Sequence, residues 1–490
     1  MLWASEKRPV DGSPNKRSVA ILVLGDIGRS PRMMYHANSF AINRFDTHII
    51  GYRGSRPIPS LEKNENVHFH YLSELPAFFQ SLPFPLSAPL KIAHQICSIL
   101  AVFFLCLPKR PGFILVQNPP SIPTLALAQL ITLLQGSKLI IDWHNLGYSI
   151  LALKLGSRHP FVTIARWLEA TLGQYAYAHL FVTQAMCDFL VQKWSLQGRK
   201  FVLHDRPPQH FHRSSIQETH LLFQKLSCDL YNQELLQEFL PQLSSPHSTP
   251  FTYTSHETSV QDQTVSVMVE KVALRHDRPA LLVSSTSWTP DEDFDILLNA
   301  LSIYEAQATR YFNNRTADVT GMQLPKLFVI VTGKGPLKDK YIDKVNQLQK
   351  KWNWVRCISL WLEAEDYPTL LGSADLGVCL HASSSALDLP MKIVDMFGCG
   401  LPVCALDFSC LGELVKNGIN GLIFKDASQL AKQLEELFLA FPEAAHLESL
   451  RTNLSKSKMH AAEPAHSADW KWNNWDDNWN HVMKPLVVTS

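Results

Sequence analysis

Ser384-Ser385-Ala386-Leu387-Asp388-Leu389-Pro390-Met391-Lys392-Ile393-Val394-Asp395-Met396-Phe397-Gly398-Cys399-Gly400-Leu401-Pro402-Val403 is the stretch whose reading decides the fold. It reads as a loop, one short helix and the start of a strand. The run before it, Asp375-Leu376-Gly377-Val378-Cys379-Leu380-His381, has the unbroken apolar texture of a buried parallel strand. Asp388 is expected at the helix N-cap, Pro390 in its first turn and Gly400 at its close. A helix start with free N–H groups beside Lys392 suits a diphosphate. Asp395, further in, suits ribose hydroxyls, and the set points to a nucleotide-sugar donor.

Outward from that stretch the chain alternates strand and helix. Ser18 to Leu24 is an apolar strand that runs into Gly25-Asp26-Ile27-Gly28-Arg29-Ser30-Pro31-Arg32. Further strands are expected at 47–52, 113–116, 138–142 and 179–182, then at 280–284, 327–331, 355–360, 375–380 and 402–405. The repetition predicts an α/β protein of two doubly wound halves, residues 18–208 and 276–455, each with a parallel sheet. In such sheets ligands sit at the carboxyl ends of the strands, so a cleft between the halves is the expected site. Residues 209–275, rich in Gln, Ser, His and Thr, show no strand period and read as a partly disordered interdomain insertion. Residues 1–17 read as a flexible tail. Residues 456–490, with Trp470, Trp472, Trp475 and Trp479, read as a tail packing back on the body.

The totals narrow the classes. A chain of 490 residues exceeds one ordinary core. A formal charge of +1 gives no case for nucleic acid. Nine scattered cysteines without a Cys-x-x-Cys pair favour reduced thiols facing the cytosol. The first residues hold no apolar core of signal-peptide length. The strongest hydrophobic run, Ile96 to Leu107, is too short for the roughly 20 residues of a bilayer span. It reads either as a buried core helix or as a monotopic patch with Lys109 and Arg110 at the headgroups.

Four further motifs sit where strands end. Gly25 and Gly28 allow a backbone to approach a ligand, while Arg29 and Arg32 offer guanidinium forks to phosphate. Either arginine can equally be a plain surface residue. His144, in Asp142-Trp143-His144-Asn145, can take a proton near neutral pH, or can merely orient its loop. Ser285 and Thr286 open the first turn of the second half. The Asp291-Glu292-Asp293 run behind them reads as a helix first turn rather than a metal site. Gly333-Lys334-Gly335 follows a strand and can meet a phosphate, or form a surface turn. Neither a phosphate-binding Gly-x4-Gly-Lys-Ser/Thr loop nor a Gly-x-Ser-x-Gly elbow occurs, and Gly25-x-x-Gly28 is not a dinucleotide fingerprint.

Residues 25–33, 142–145, His204-Asp205-Arg206-Pro207-Pro208, 284–289 and 387–392, in that order, resemble the chitobiosyldiphosphodolichol β-mannosyltransferase family. The likeness covers roughly 18–208 and 278–425. It implies a GT-B fold and transfer of mannose from GDP-mannose to dolichyl-diphosphate chitobiose, with inversion to a β1,4 bond. The setting it implies is the cytosolic face of the endoplasmic reticulum membrane, beside other mannosyltransferases of lipid-linked oligosaccharide assembly. Under that reading the donor meets Ser285, Thr286, Gly333, Lys334, Gly335, Pro390, Lys392 and Asp395. Gly25, Gly28, Arg29 and Arg32 meet the acceptor, and His144 and Asp388 act at the sugar. Neither metal nor cofactor is expected, since cations and amides take the leaving group's charge. The chain departs from the Glu-x7-Glu of many retaining GT-B enzymes, Asp388 and Asp395 standing seven apart. It also lacks the N-terminal membrane helix of several members. The rival readings are a transferase with a soluble acceptor and a catalytically dead homologue serving as scaffold.

Overall fold

Along the first strand, side chains alternate between two cores. Val19, Ile21 and Val23 face one apolar cluster, and Ala20 and Leu22 face another. A strand apolar on both faces must be covered on both, which is the doubly wound arrangement. The computed structural model describes residues 15–75, 84–243, 247–261, 265–290, 292–313, 323–381, 385–459 and 474–488. The N-terminal tail, Asp291, Ser384, Trp470 and Trp472 lie outside the described residues.

The chain divides into two compact units. The first holds residues up to Asp205, the loop 385–388 and the C-terminal helix Trp475–Val488; the second holds the rest. In the first, β1 (Asn15–Asp26), β2 (Asp46–Tyr52), β3 (Val67–Tyr71), β4 (Pro111–Asn118), β5 (Lys138–Trp143), β6 (Tyr175–Phe181) and β7 (Gln197–Val202) form a sheet of order β3-β2-β1-β4-β5-β6-β7. Every pairing in it is parallel.

The second unit holds β10 (Ala280–Ser285), β11 (Leu327–Thr332), β12 (Val355–Leu360), β13 (Leu376–Cys379), β14 (Val403–Leu406) and β15 (Gly421–Phe424), ordered β12-β11-β10-β13-β14-β15. Both sheets reverse direction beside their first strand, at β1/β4 and β10/β13. Ligands of doubly wound sheets bind outside such switch points. The edge strands β3, β7 and β15 escape the sequence reading. Glycine opens β15, while Val67-His68-Phe69-His70-Tyr71 and Gln197-Gly198-Arg199-Lys200 carry the polar side chains of half-exposed edges.

The insertion 209–275, expected to be partly disordered and without a strand period, holds ordered elements, two strands among them. Helix Ile216–Lys225 starts on a capping box in which Ser215 and Glu218 satisfy each other's backbone N–H groups. An antiparallel pair, β8 (Thr252–Gln261) and β9 (Val265–Leu274), follows. Phe223 and Phe251 bring their rings to 4.2 Å, and Phe251 lies 6.2 Å from Phe328 of β11. A few apolar anchors in a polar composition thus fix the segment to the second unit.

The run 96–107 is also longer than its composition suggested. Helix Phe84–Ala101 continues as a wider turn, Val102–Cys106. Gln95, Ile99, Val102 and Phe103 form a buried stripe against the sheet, while Leu90 and Leu105 are exposed. By length and composition Pro89–Cys106 suffices to cross a membrane, which corrects the twelve-residue limit. Helix Trp475–Val488 seals the opposite face of the first sheet. Trp475 Nε1 donates to Ser39 Oγ at 3.0 Å, and Trp479 packs edge-on to Phe40 at 5.1 Å.

Trp479 is fully buried, so Trp479→Ala leaves a large hole and costs about 3–5 kcal/mol in urea denaturation. Trp143 Nε1, at the end of β5, donates to Nδ1 of His179 on β6 at 3.2 Å, and Nε2–H of the neutral His179 ring meets Gln197 O at 2.8 Å. Burial pushes its pKa down to about 4. The unfolded side chain, at about 6.5, then binds a proton that the folded one refuses. Stability is therefore expected to fall as pH drops from about 6.5 to about 4. His179→Gln should flatten that part of a urea-midpoint-against-pH profile.

Candidate functional site

In the second unit the chemistry gathers at the end of β10. Its last residues, Ser284 and Ser285, run into Thr286, Ser287 and a left-handed Trp288, φ 49°. Trp288 is buried against Phe294 at 4.7 Å and holds the turn by donating from Nε1 to Gly333 O at 3.3 Å. Glycine at 333 and 335 is obligatory for a reason internal to the fold. A Cβ at Gly333 would lie 1.8 Å from Thr286 O, and one at Gly335 1.8 Å from Ser287 O. The two loops lie flat against each other, leaving Lys334 outside with its Nζ 3.5 Å from the Trp361 ring centre. The following helix starts at Lys338 rather than at the glycines.

The hub of this corner is Glu292, which sequence reasoning assigned to a helix first turn. Helix Phe294–Asn313 begins two residues later, and Asp293 accepts from Asp295 N at 3.0 Å. Glu292 itself turns inward and is buried. Its Oε2 accepts from Ser287 N at 2.7 Å and from the Thr286 hydroxyl, and its Oε1 pairs with Lys392 Nζ. Lys392, whose side chain is 22% exposed, also stands 3.5 Å from Ser287 Oγ. An ammonium has three donors, so one pair leaves it capacity for a phosphate.

Helix Met391–Gly398 has Pro390 as its N-cap, so Asp388 is not the cap expected of it. Instead Asp388 belongs to the first unit's loop, where Ser385 Oγ donates to its Oδ1 at 3.0 Å. Asp395 lies one turn into that helix, half-buried. Tyr367 OH reaches Ser285 Oγ at 3.1 Å; burial, and then the charge of Asp395, push its phenol pKa up. Ser285, Tyr367 and Asp395 are therefore neighbours.

In the first unit a buried carboxylate, Asp142 at the end of β5, organises everything near it. Arg32 grips it with Nε to Oδ2 at 2.8 Å and Nη2 to Oδ1 at 2.9 Å. Its Nη1 donates to Leu203 O at 2.8 Å and to Asp205 at 2.7 Å. The guanidinium is buried and its donors are engaged, so Arg32 is corrected from phosphate ligand to internal counter-ion. Burial alone would raise the Asp142 pKa. The charge of Arg32 and hydrogen bonds from the histidines outweigh it and hold the carboxyl well below its usual range.

Two histidines share the anion. Trp479 Nε1 donates to His36 Nδ1 at 3.0 Å, so the His36 proton sits on Nε2, facing Asp142 at 3.2 Å. Burial holds His36 neutral, its pKa lowered. His144 Nε2 lies 3.0 Å from the same Oδ2, with the ring partly exposed. An ionised Asp142 accepts a hydrogen bond from Nε2–H, which fixes the ring's proton there and leaves Nδ1 as an acceptor, the arrangement of an oriented general base.

Gly28 is needed where the chain folds on itself, since its Cβ would meet Ser55 O at 2.3 Å. A Cβ at Gly25 would make only an ordinary contact, 3.9 Å from Val23 Cγ1, so no comparable demand falls there. Arg29 remains outside, its side chain 81% exposed and 3.6 Å from Asp26. Among the described residues no cluster of ligands suits a metal ion.

Two parallel sheets with mirrored switch points, glycine-bound loops and cations at strand ends define the GT-B class of glycosyltransferases. A sucrose-phosphate synthase from Thermosynechococcus elongatus shares the fold at TM-score 0.58 and 11% identity, covering 96% of this chain and 98% of that one. Anabaena HepE, solved with UDP and glucose, does so at TM-score 0.55 and 14% identity, over 89% of this chain and 94% of that one. Residues 295–439 match the family "Glycosyl transferases group 1". The mouse chain named chitobiosyldiphosphodolichol beta-mannosyltransferase is 43% identical over 479 residues, covering 97% of this chain and 90% of its own. The human chain of that name is 41% identical, with 96% and 93% covered. An Arabidopsis thaliana chain named UDP-glycosyltransferase TURAN is also 41% identical, covering 96% of each. The chain belongs to the chitobiosyldiphosphodolichol beta-mannosyltransferase family and is a glycosyltransferase.

Arg32→Gln strands a buried carboxylate without its cation and is expected to cost about 3–5 kcal/mol in urea denaturation. Arg29→Gln, on the surface, should leave the urea midpoint unchanged.

Proposed function

We propose that this enzyme transfers one mannosyl residue from GDP-mannose to dolichyl-diphosphate chitobiose, forming a β1,4 bond with inversion. The full-length likeness to chains bearing that activity in their names carries the reading. The setting we infer is the cytosolic face of the endoplasmic reticulum membrane, where lipid-linked oligosaccharide assembly would supply the acceptor and consume the product.

The geometry supports a division of roles. Lys392, the N–H groups opening helix Met391–Gly398 and Lys334 would take the donor's diphosphate, with Asp395 toward the ribose. As the bond from C1 to the phosphate oxygen breaks, charge accumulates on that diphosphate, and fixed cations and amides stabilise it. The acceptor hydroxyl would form the new bond to C1 and pass its proton to His144 Nδ1. Asp142 would hold the ring in the accepting tautomer and offset the imidazolium charge. Arg29 is the exposed cation left for the acceptor's diphosphate, Arg32 being committed inside.

The test is product analysis. Purified protein is incubated with a chitobiosyl-diphospho-lipid and radiolabelled GDP-mannose or a UDP-sugar. Label should transfer from GDP-mannose, and the product should be cut by β-mannosidase. Lys392→Ala should lower the rate by about 100-fold or more, as should His144→Gln. Transfer from the UDP-sugar alone, or a β-mannosidase-resistant product, would sink the reading. No transfer from any donor would favour a scaffold.

A further inference from the structure

The surface of the first unit carries a helical hairpin that folding alone does not explain. Helix Gly147–Leu155 contains Tyr148, Ile150, Leu151, Leu153 and Leu155, yet none of its nine residues is buried. It packs on helix Pro160–Leu172. On that second helix Val162 and Glu169 point inward. At 100° per residue Ile164 and Trp167 fall on the opposite side and Phe161 on the flank, and Phe161, Ile164 and Trp167 are 57%, 51% and 64% exposed. A helix that is apolar on both faces is at home in a protein core or a bilayer, and this one lies at the surface.

The charges point the same way. Glu169 is the one acid in residues 147–172 and is buried, accepting from Asn118, Ser121 and the N–H groups of Gly147 and Tyr148. It thereby closes the N-terminus of the first helix, which is not an anion site. Lys154, Arg158 and Arg166 are exposed, so the hairpin's accessible formal charge is purely positive. A cavity of about 340 Å³, walled by Pro120, Tyr148, Ile150 and Ala165, borders the hairpin and has room for an acyl segment. Among the other apolar helices, Pro89–Cys106 already spends the stripe Gln95, Ile99, Val102 and Phe103 on the core, and Thr124–Gln135 exposes Leu130, Leu133 and Leu134 but has no Lys or Arg.

We propose that the 147–172 hairpin is the face by which this protein docks on a bilayer with anionic headgroups. Phe161, Ile164 and Trp167 enter the acyl boundary, and Lys154, Arg158 and Arg166 meet lipid phosphates. The inference rests on the lipid-linked acceptor proposed above for its purpose, and on exposed apolar area and charge for its physics. His144 stands three residues before the hairpin, so docking would bring the base to the depth at which a lipid-linked sugar emerges.

The experiment is co-sedimentation of the full chain, without donor or acceptor, with phosphatidylcholine vesicles with and without phosphatidylserine. The wild-type protein should bind the anionic vesicles and weaken with added salt. Phe161→Ser/Trp167→Ser should lower the partition coefficient by more than about tenfold. Lys154→Gln/Arg158→Gln/Arg166→Gln should lower it by about tenfold or more and remove the salt dependence. Leu105→Ser, on the other helix, should bind like wild type. All are surface changes, and unchanged urea midpoints exclude misfolding as the cause. Loss of binding in the hairpin variants supports the proposal whatever the transfer assay gives. Wild-type binding by both hairpin variants, or loss confined to Leu105→Ser, overturns it even where transfer proceeds.

Discussion

A carboxylate that water does not reach, Asp142, is what the first unit depends on. Burying an anion is costly unless cations and donors surround it, and each partner comes from a different piece of chain. Arg32 comes from the helix after β1, His36 from the next turn, His144 from the loop after β5. Through Arg32 the segment after β7, at Leu203 and Asp205, is fixed as well. Through His36 the C-terminal helix is oriented, because Trp479 donates to the ring's other nitrogen. One charge thus sets the register of segments more than 400 residues apart and aims one exposed histidine.

The second unit solves a similar problem with the opposite emphasis. Glu292 is buried, but its main partner, Lys392, keeps part of its ammonium open to solvent. The pair holds the lysine in place, and with Ser287 also in reach it leaves one donor for the phosphate proposed above. Around it the structure is rigid by exclusion rather than by attraction. Gly333 and Gly335 let two loops touch where any Cβ would collide, and Trp288 plugs the space behind them. If the diphosphate binds here as proposed, a site built this way would need little reordering, and little binding energy would be consumed in it.

The two units also differ in their surfaces. The second buries large apolar side chains on both sides of β10 and β11, with Leu282, Val329 and Val331 on one face and Leu281, Val283, Phe328 and Ile330 on the other. The first exposes a set of them on helices 147–155 and 160–172. Exposed aromatic and aliphatic area beside unopposed positive charge is stable in water only as a compromise. The docking proposed above would relieve it at a lipid surface.

The parallel strands β1, β2, β4, β5, β10 and β11 were legible in the sequence, because a strand covered on both faces must be apolar at every position. So were the glycine and lysine positions at strand ends, because turns and anions restrict residue choice locally. Partnership was not legible. Arg29 and Arg32 look alike three residues apart, yet Arg29 closes a short turn (Ile27–Arg29) and Arg32 lies in the next helix (Pro31–Ile42), and the break between them leaves one in water and puts the other on Asp142. Glu292 sits in an acidic run of helix-start character, and only the fold turns it toward Lys392. Asp388 looked like a cap until the backbone gave that position to Pro390. Residues 209–275 hid a capping box and aromatic anchors inside polar composition. Local patterning fixes which segments are strands and where ligands can approach. Which charged groups are spent on one another is settled only when distant segments meet, since the Coulomb energy of a buried pair depends on distances that no sequence spacing encodes.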